Sequence, residues 1–183
     1  MMRWFNRWRG DRRGVSAVEF AFIAPILILS YFAVAELCGA LLAQRKAGHV
    51  ASEIGDLVAQ SQQLTMAEFT DFWSVGNAVM YPLASTPLKI RLTSINADPT
   101  GKVFKVAWSE DNGAGLTKYA VGTDLTSSVP AGLIQANGSV IKSETIYTYT
   151  SPVAVVVKTA IPFNATFYLS PRQTTVIPCP TCT

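Results

Sequence analysis

Between Val15 and Leu42 the chain is an apolar run, broken only by Glu19, Ser30, Glu36 and a few small residues. At ~1.5 Å of rise per residue, a helix over this stretch exceeds the roughly 30 Å hydrocarbon core of a bilayer. A membrane-spanning helix is therefore the default first element. A signal peptide shares the basic start, but its apolar core is only about 7–15 residues long and precedes a small-residue cleavage site. Here the best processing signal comes before the apolar stretch. Glu19 is the fifth residue after Gly14 and lies at the mouth of the run. A carboxylate in lipid is costly and marks function unless something neutralises it. Cutting the chain after Gly14 would give Val15 an ammonium four positions before Glu19, to meet it within one helix or between neighbouring subunits.

Charge sets the orientation. Arg3, Arg7, Arg9, Arg12 and Arg13 crowd the start against Asp11 alone, whereas Arg45 and Lys46 on the far flank are followed by Glu53 and Asp56. The positive-inside rule keeps the N-terminus cytoplasmic and exports everything after about Gln44. Five arginines and one aspartate in residues 1–14 carry +4 of a total of +3, so the remainder is near −1. The basic balance belongs to the leader and is no argument for nucleic acid. Trp4 and Trp8 between the arginines read as interfacial anchors.

The arrangement resembles the type IV pilins, which have a basic leader ending in glycine, a cut by a prepilin peptidase, and glutamate at mature position five. The longer resemblance is to the TadE/TadF-like pseudopilins of tight-adherence (Flp) pilus systems. It is carried by Arg13-Gly14, Ser16-Ala17-Val18-Glu19-Phe20, Ala24-Pro25-Ile26-Leu27 and Glu36-Leu37-Cys38-Gly39. It is strong over about the first fifty residues and general beyond them. Major Flp pilins usually carry tyrosine after the glutamate and are far shorter. Phe20 and the long C-terminal part therefore imply a minor component. The resemblance further implies processing between Gly14 and Val15, and pairing of Glu19 with a neighbour's new amine. The implied partners are a prepilin peptidase, other pilins or pseudopilins, the pilus-assembly machinery and the bacterial inner membrane.

Glu36 lies 17 residues after Glu19, about 25 Å along a helix, so the two carboxylates fall near opposite borders of the hydrocarbon layer. Two readings stand for Glu36: it reaches outward to the headgroups, or it contacts a partner helix. Pro25 removes one backbone donor and should bend or locally open the helix. Ala21, Ala24, Ala33, Ala35 and Gly39 offer small faces for helix packing.

The organisation expected is a leader over 1–14, a transmembrane helix over 15–42 and an exported (periplasmic) α+β domain over 43–183. The membrane helix should continue over Ala43–Gln63, with Gly48 and Gly55 weakening it slightly. Thr65 and Glu68 form a capping box for a second helix reaching about Met80, stopped by Pro82. Strands are expected at Lys89–Ile95 and Lys102–Trp108, joined by the turn Ala97–Gly101. Further strands are expected at Thr145–Thr150, Val153–Ile161 and Ala165–Leu169. A long surface loop should cover Glu110–Pro130, and Asn137-Gly138 marks a turn. The fold class is thus α+β, pilin-like, with an antiparallel sheet.

No enzyme is expected, and no cofactor. His49 is the sole histidine and has no second ligand set around it, so no metal site follows. Cys179-Pro180-Thr181-Cys182 suits a structural disulfide in an oxidising compartment better than a redox centre, for which a helix start would be needed. Metal capture by this pair would need two more ligands from a partner. Cys38 reads as a small apolar residue. The reading is a minor pilin-like protein that acts by assembling. Its competitor is an unprocessed single-span envelope-binding protein; a thiol–disulfide enzyme ranks last.

Overall fold

The computed structural model describes residues 14–130 and 132–182. The expectations placed on the arginine-rich leader lie outside the described residues. The chain divides into two compact units, Met1–Gly39 with Thr150–Thr159, and Ala40–Tyr149 with Ala160–Thr183.

The first element, α1, is one helix over Val15–Ala59, and it runs through Pro25 without a break. Its best 18-residue window has a mean hydropathy of 2.1, which makes it a candidate membrane span. In the first unit its apolar side chains are exposed all round, as at Phe22, Ile26, Leu29, Tyr31, Val34 and Leu37. A helix apolar on every side and uncovered by its own chain suits lipid. From Ala40 the pattern narrows to one buried stripe of Ala40, Ala43, Ala47, Val50, Ile54 and Val58, spaced three or four apart. That is the signature of a helix lying on a globular core.

In the second unit, α2 spans Met66–Met80. The Glu68 carboxylate accepts both the Thr65 N–H (2.7 Å) and the Thr65 hydroxyl (2.9 Å), so the expected cap residues do meet. Four antiparallel strands follow: β1 (Leu88–Ala97), β2 (Phe104–Asp111), β3 (Ser139–Tyr149) and β4 (Ile161–Leu169), in the order β2-β1-β3-β4. The β1–β2 hairpin closes on Asp98. It accepts the Thr100 hydroxyl, the Lys102 N–H and the Val103 N–H, which hold its carboxyl down to about 2.

The sheet is covered on both faces. On one face, Leu88, Ile90, Leu92, Trp108, Ile141 and Tyr147 pack with Val50, Ile54, Val58 and Phe69 of the helices. On the other, Ile95, Phe104, Val106 and Val140 pack with Leu125, Val129 and Ile134 of the β2–β3 connection. The loop expected over Glu110–Pro130 thus carries buried apolar anchors besides its polar turns. A register shift at Ser94/Ile95 explains how β2 serves both layers. The extra residue of a bulge reverses side-chain parity, so Val106 joins one core and Trp108 the other.

One expected strand is not formed. Val153–Ala160 is irregular, and β4 begins only at Ile161 and runs through Pro162 to Leu169. β3 is longer than expected and starts at Ser139.

The C-terminal tail ties the corner between the helices. The Arg172 N–H donates to Ala59 O (2.8 Å), Arg172 pairs with Asp56, and the Leu64 N–H donates to Pro178 O (3.0 Å). The Trp108 indole N–H donates to Ile177 O (2.8 Å), and the Met66 N–H to the Thr181 hydroxyl (3.2 Å).

Two helix glycines with the same intrinsic propensity sit in different surroundings. A Cβ on Gly48 would meet nothing within 4 Å, whereas one on Gly55 would run into the Leu169 side chain and lie 3.0 Å from Ser143 Cβ. Gly48→Ala should raise the stability of the detergent-solubilised protein by about 0.5–1 kcal/mol. Gly55→Ala should lower it by about 1–3 kcal/mol through overpacking. Denaturant midpoints of the two variants would check the opposite signs, and a shared sign would refute the close helix–sheet approach at Gly55.

Candidate functional site

The candidate membrane helix carries two carboxylates whose surroundings differ. Glu36 is only 3% exposed. Its Oε1 accepts the Val155 N–H at 2.7 Å, and its Oε2 accepts the Val156 N–H at 3.0 Å and the Val157 N–H at 2.6 Å. Successive backbone N–H groups converging on one point form an anion-binding concavity. The turn that aims them passes through Ala154, which holds the left-handed conformation at φ 52°. Such a conformation costs about 1–2 kcal/mol outside glycine. Three short hydrogen bonds to an ionised acceptor offset it, since charge-assisted bonds are roughly twice as strong as neutral ones.

This geometry explains the missing strand. Amides of 155–157 that point at one carboxylate cannot alternate along a ladder. It also changes the account of Glu36, whose carboxylate turns to the chain's own backbone. A lone carboxylate in an apolar setting is strongly unfavourable, and so are unpaired backbone donors. Here each satisfies the other.

Glu19 has no such arrangement. It is exposed, and none of the described residues offers it a hydrogen bond or an ion pair. Just upstream, Gly14 O accepts the Val18 N–H at 3.1 Å, so the Gly14–Val15 peptide lies at the very start of α1, with both residues exposed. Pro25 is exposed within the helix.

The other residues singled out lie elsewhere. Cys179 and Cys182 are joined as a disulfide, and both pack against the helix-side core. The short ring they close also contains Thr181, which holds the start of α2. Cys38 is free and exposed on the membrane helix. His49 is exposed, with Nδ1 3.9 Å from Glu53 on the next turn.

A polar cluster on the sheet had no sequence signal beyond scattered charges. Arg91 of β1 bonds Glu144 of β3 (2.8 Å), Thr117 O (2.6 Å) and the Tyr119 hydroxyl (2.8 Å). Lys142 lies 2.9 Å from the same Glu144. Burial pulls the Lys142 ammonium toward neutrality, but Glu144 more than offsets it and holds the group above its ordinary value. The cross-strand register, Arg91 opposite Glu144, gives the cluster a structural role.

Comparison with known proteins bears on the segment that holds both carboxylates. Residues 14–56 are similar to the TadE-like family. The match is to the family model described as TadE-like protein. It begins at Gly14 and contains Glu19, Pro25 and Glu36, whereas the sheet lies outside it. No curated protein and no solved structure matches the chain. The TadE-like segment is thus the helix alone, and the valine loop that receives Glu36 is outside it. Sequence reasoning flagged Glu36 but missed its partners. Nothing local relates a residue to backbone amides 119 to 121 positions away. The available signal was a buried acid without a cation, together with a valine run lacking alternation.

Glutamine at position 36 would replace one acceptor oxygen by an NH₂ that opposes the amides. Glu36→Gln should therefore loosen the loop while leaving α1 helical. Amide hydrogen exchange at Val155–Val157 in the bilayer-embedded protein should rise roughly tenfold or more, the factor for losing one bond to a charged acceptor. Unchanged protection at these three amides would contradict the pairing.

Proposed function

We propose that this protein is a minor pilin-like (pseudopilin) component of a tight-adherence (Flp) pilus machine, acting by assembly and not by catalysis. One observation carries the reading: of two carboxylates in a candidate membrane helix, Glu36 is satisfied by its own chain, whereas Glu19 has no partner among the described residues. An acid left open in lipid calls for a partner outside the chain. The amine that cleavage after Gly14 would create on a neighbouring subunit's Val15 has the right charge. The TadE-like match from Gly14 onward supports the same setting.

On this reading a prepilin peptidase cuts between Gly14 and Val15 at the cytoplasmic face of the inner membrane. The protein inserts once, with its N-terminus cytoplasmic and its C-terminal domain periplasmic. Glu19 then pairs with the Val15 amine of an adjacent pilin or pseudopilin and fixes the register of the helices. A buried charge without its partner costs ~3–5 kcal/mol, which makes the pairing selective. Small residues along the span, Ala21, Ala24, Ala33 and Ala35, allow close approach of helices. The exported domain meets the filament or the assembly machinery.

Three results would test this. A phosphatase fused after about Gln60 should be active and one fused within the first ten residues inactive; the reverse would overturn the orientation. Gly14→Arg should accumulate the uncut form, and equal processing of that variant would refute the cleavage site. Glu19→Gln should be cut and inserted normally yet lose pilus formation and crosslinking to pilus partners. Normal pilus output from Glu19→Gln would instead favour the plain-anchor reading.

A further inference from the structure

The Thr150–Thr159 connection belongs to the same compact unit as the membrane helix. Its position along that helix is fixed by Glu36, which its amides hold. Glu36 is 21 residues beyond Val15, ~32 Å along the axis, about the thickness of the hydrocarbon core. If Val15 marks the inner border of the span, the loop lies at the outer border.

Its composition suits that place. Pro152, Val153, Ala154 and Val156 are exposed, Val153 by 49% and Val156 by 54%, and no charge occurs between Ser151 and Val157. Lys158 follows and is exposed, placed to carry its ammonium to the headgroups while its stem stays in apolar surroundings.

Its backbone suits that place as well. Irregular backbone is tolerated at membrane depth only where its polar groups are satisfied by protein. Pro152 has no N–H to satisfy. The Ala154 N–H donates to the Ser151 hydroxyl at 3.2 Å, and the amides of Val155, Val156 and Val157 all end on Glu36. The N–H groups of Ala154, Val155, Val156 and Val157 thus all end on the chain itself. Exposed valines together with N–H donors tied to the chain itself suit the border of a bilayer, where the carbonyls can still reach water.

We infer that the loop between β3 and β4 is a second membrane-contacting element, which dips Val153 and Val156 into the outer border of the bilayer beside α1, its amides capped by Glu36. The inference rests on reading α1 as a membrane span, and its test separates the two. In a Cys38→Ala background, with Cys179 and Cys182 kept as the disulfide, nitroxide labels are placed singly at Val153→Cys, Val156→Cys, Leu29→Cys and Val121→Cys. The full chain is reconstituted in phosphatidylcholine vesicles, and collision with oxygen is compared with collision with a water-soluble nickel chelate. Leu29 serves as the mid-span reference and exposed Val121 as the aqueous one. The expected result is an oxygen-to-nickel ratio at both 153 and 156 several-fold above that at 121 and approaching that at 29. Ratios at 153 and 156 equal to that at 121, with 29 still lipid-like, would overturn the loop contact and leave the span standing. Shielding of 153 and 156 from both reagents would mean contact with protein and would also overturn it. A water-like ratio at 29 would overturn the span itself, and the loop proposal with it.

Discussion

An ionised carboxylate stays in an apolar medium only when donors or a cation replace the water it has lost. That constraint organises the N-terminal half of this protein. Glu36 meets it with three backbone amides of one loop, at 2.6 to 3.0 Å. The solution is internal, so it fixes a fold. Glu19 has no such set of donors among the described residues. Two acids of the same type on one helix thus differ in their surroundings: one is held by its own backbone and the other is exposed.

The same helix presents two kinds of surface. Until about Gly39 its side chains are apolar on every side, and beyond that only a stripe of alanine, valine and isoleucine is buried. The change matches what each medium demands. Lipid accepts apolar groups all round, whereas a core in water accepts them on one face. Small residues dominate the stripe where the helix meets the sheet most closely, at Ala43, Ala47, Ala51 and Gly55. There the Thr145 hydroxyl reaches Ala47 O at 2.9 Å, a contact that a larger side chain at the crossing would prevent.

Legibility from the sequence followed the range of the interactions concerned. The span, α2 with its Thr65–Glu68 start, and the β1–β2 hairpin are governed by neighbours a few residues apart, and all three are where periodicity and turn residues place them. Val153–Ile161 misled because valine-rich runs favour extended chain in general. Its amides were claimed instead by a carboxylate more than a hundred residues earlier. The β2 bulge also escaped, since Phe104, Val106 and Trp108 alternate as if they shared a face. So did the anchors Leu125, Val129 and Ile134, hidden in a stretch whose glycine and serine content reads as plain loop. Glu19 stood out as an acid without a local partner; that Glu36 would be supplied from within could not be read locally.

The bulge opposite Ser94/Ile95 has a consequence for how the second unit holds together. Because β1 and β2 lend side chains to the helix-side core and to the loop-side core alike, neither layer has strands of its own. The two buried clusters are coupled through shared strands: melting the loop layer strips the hairpin that the helices lean on, and detaching the helices uncovers the sheet beneath the loop. A body built this way favours opening as a whole or only at its frayed margins.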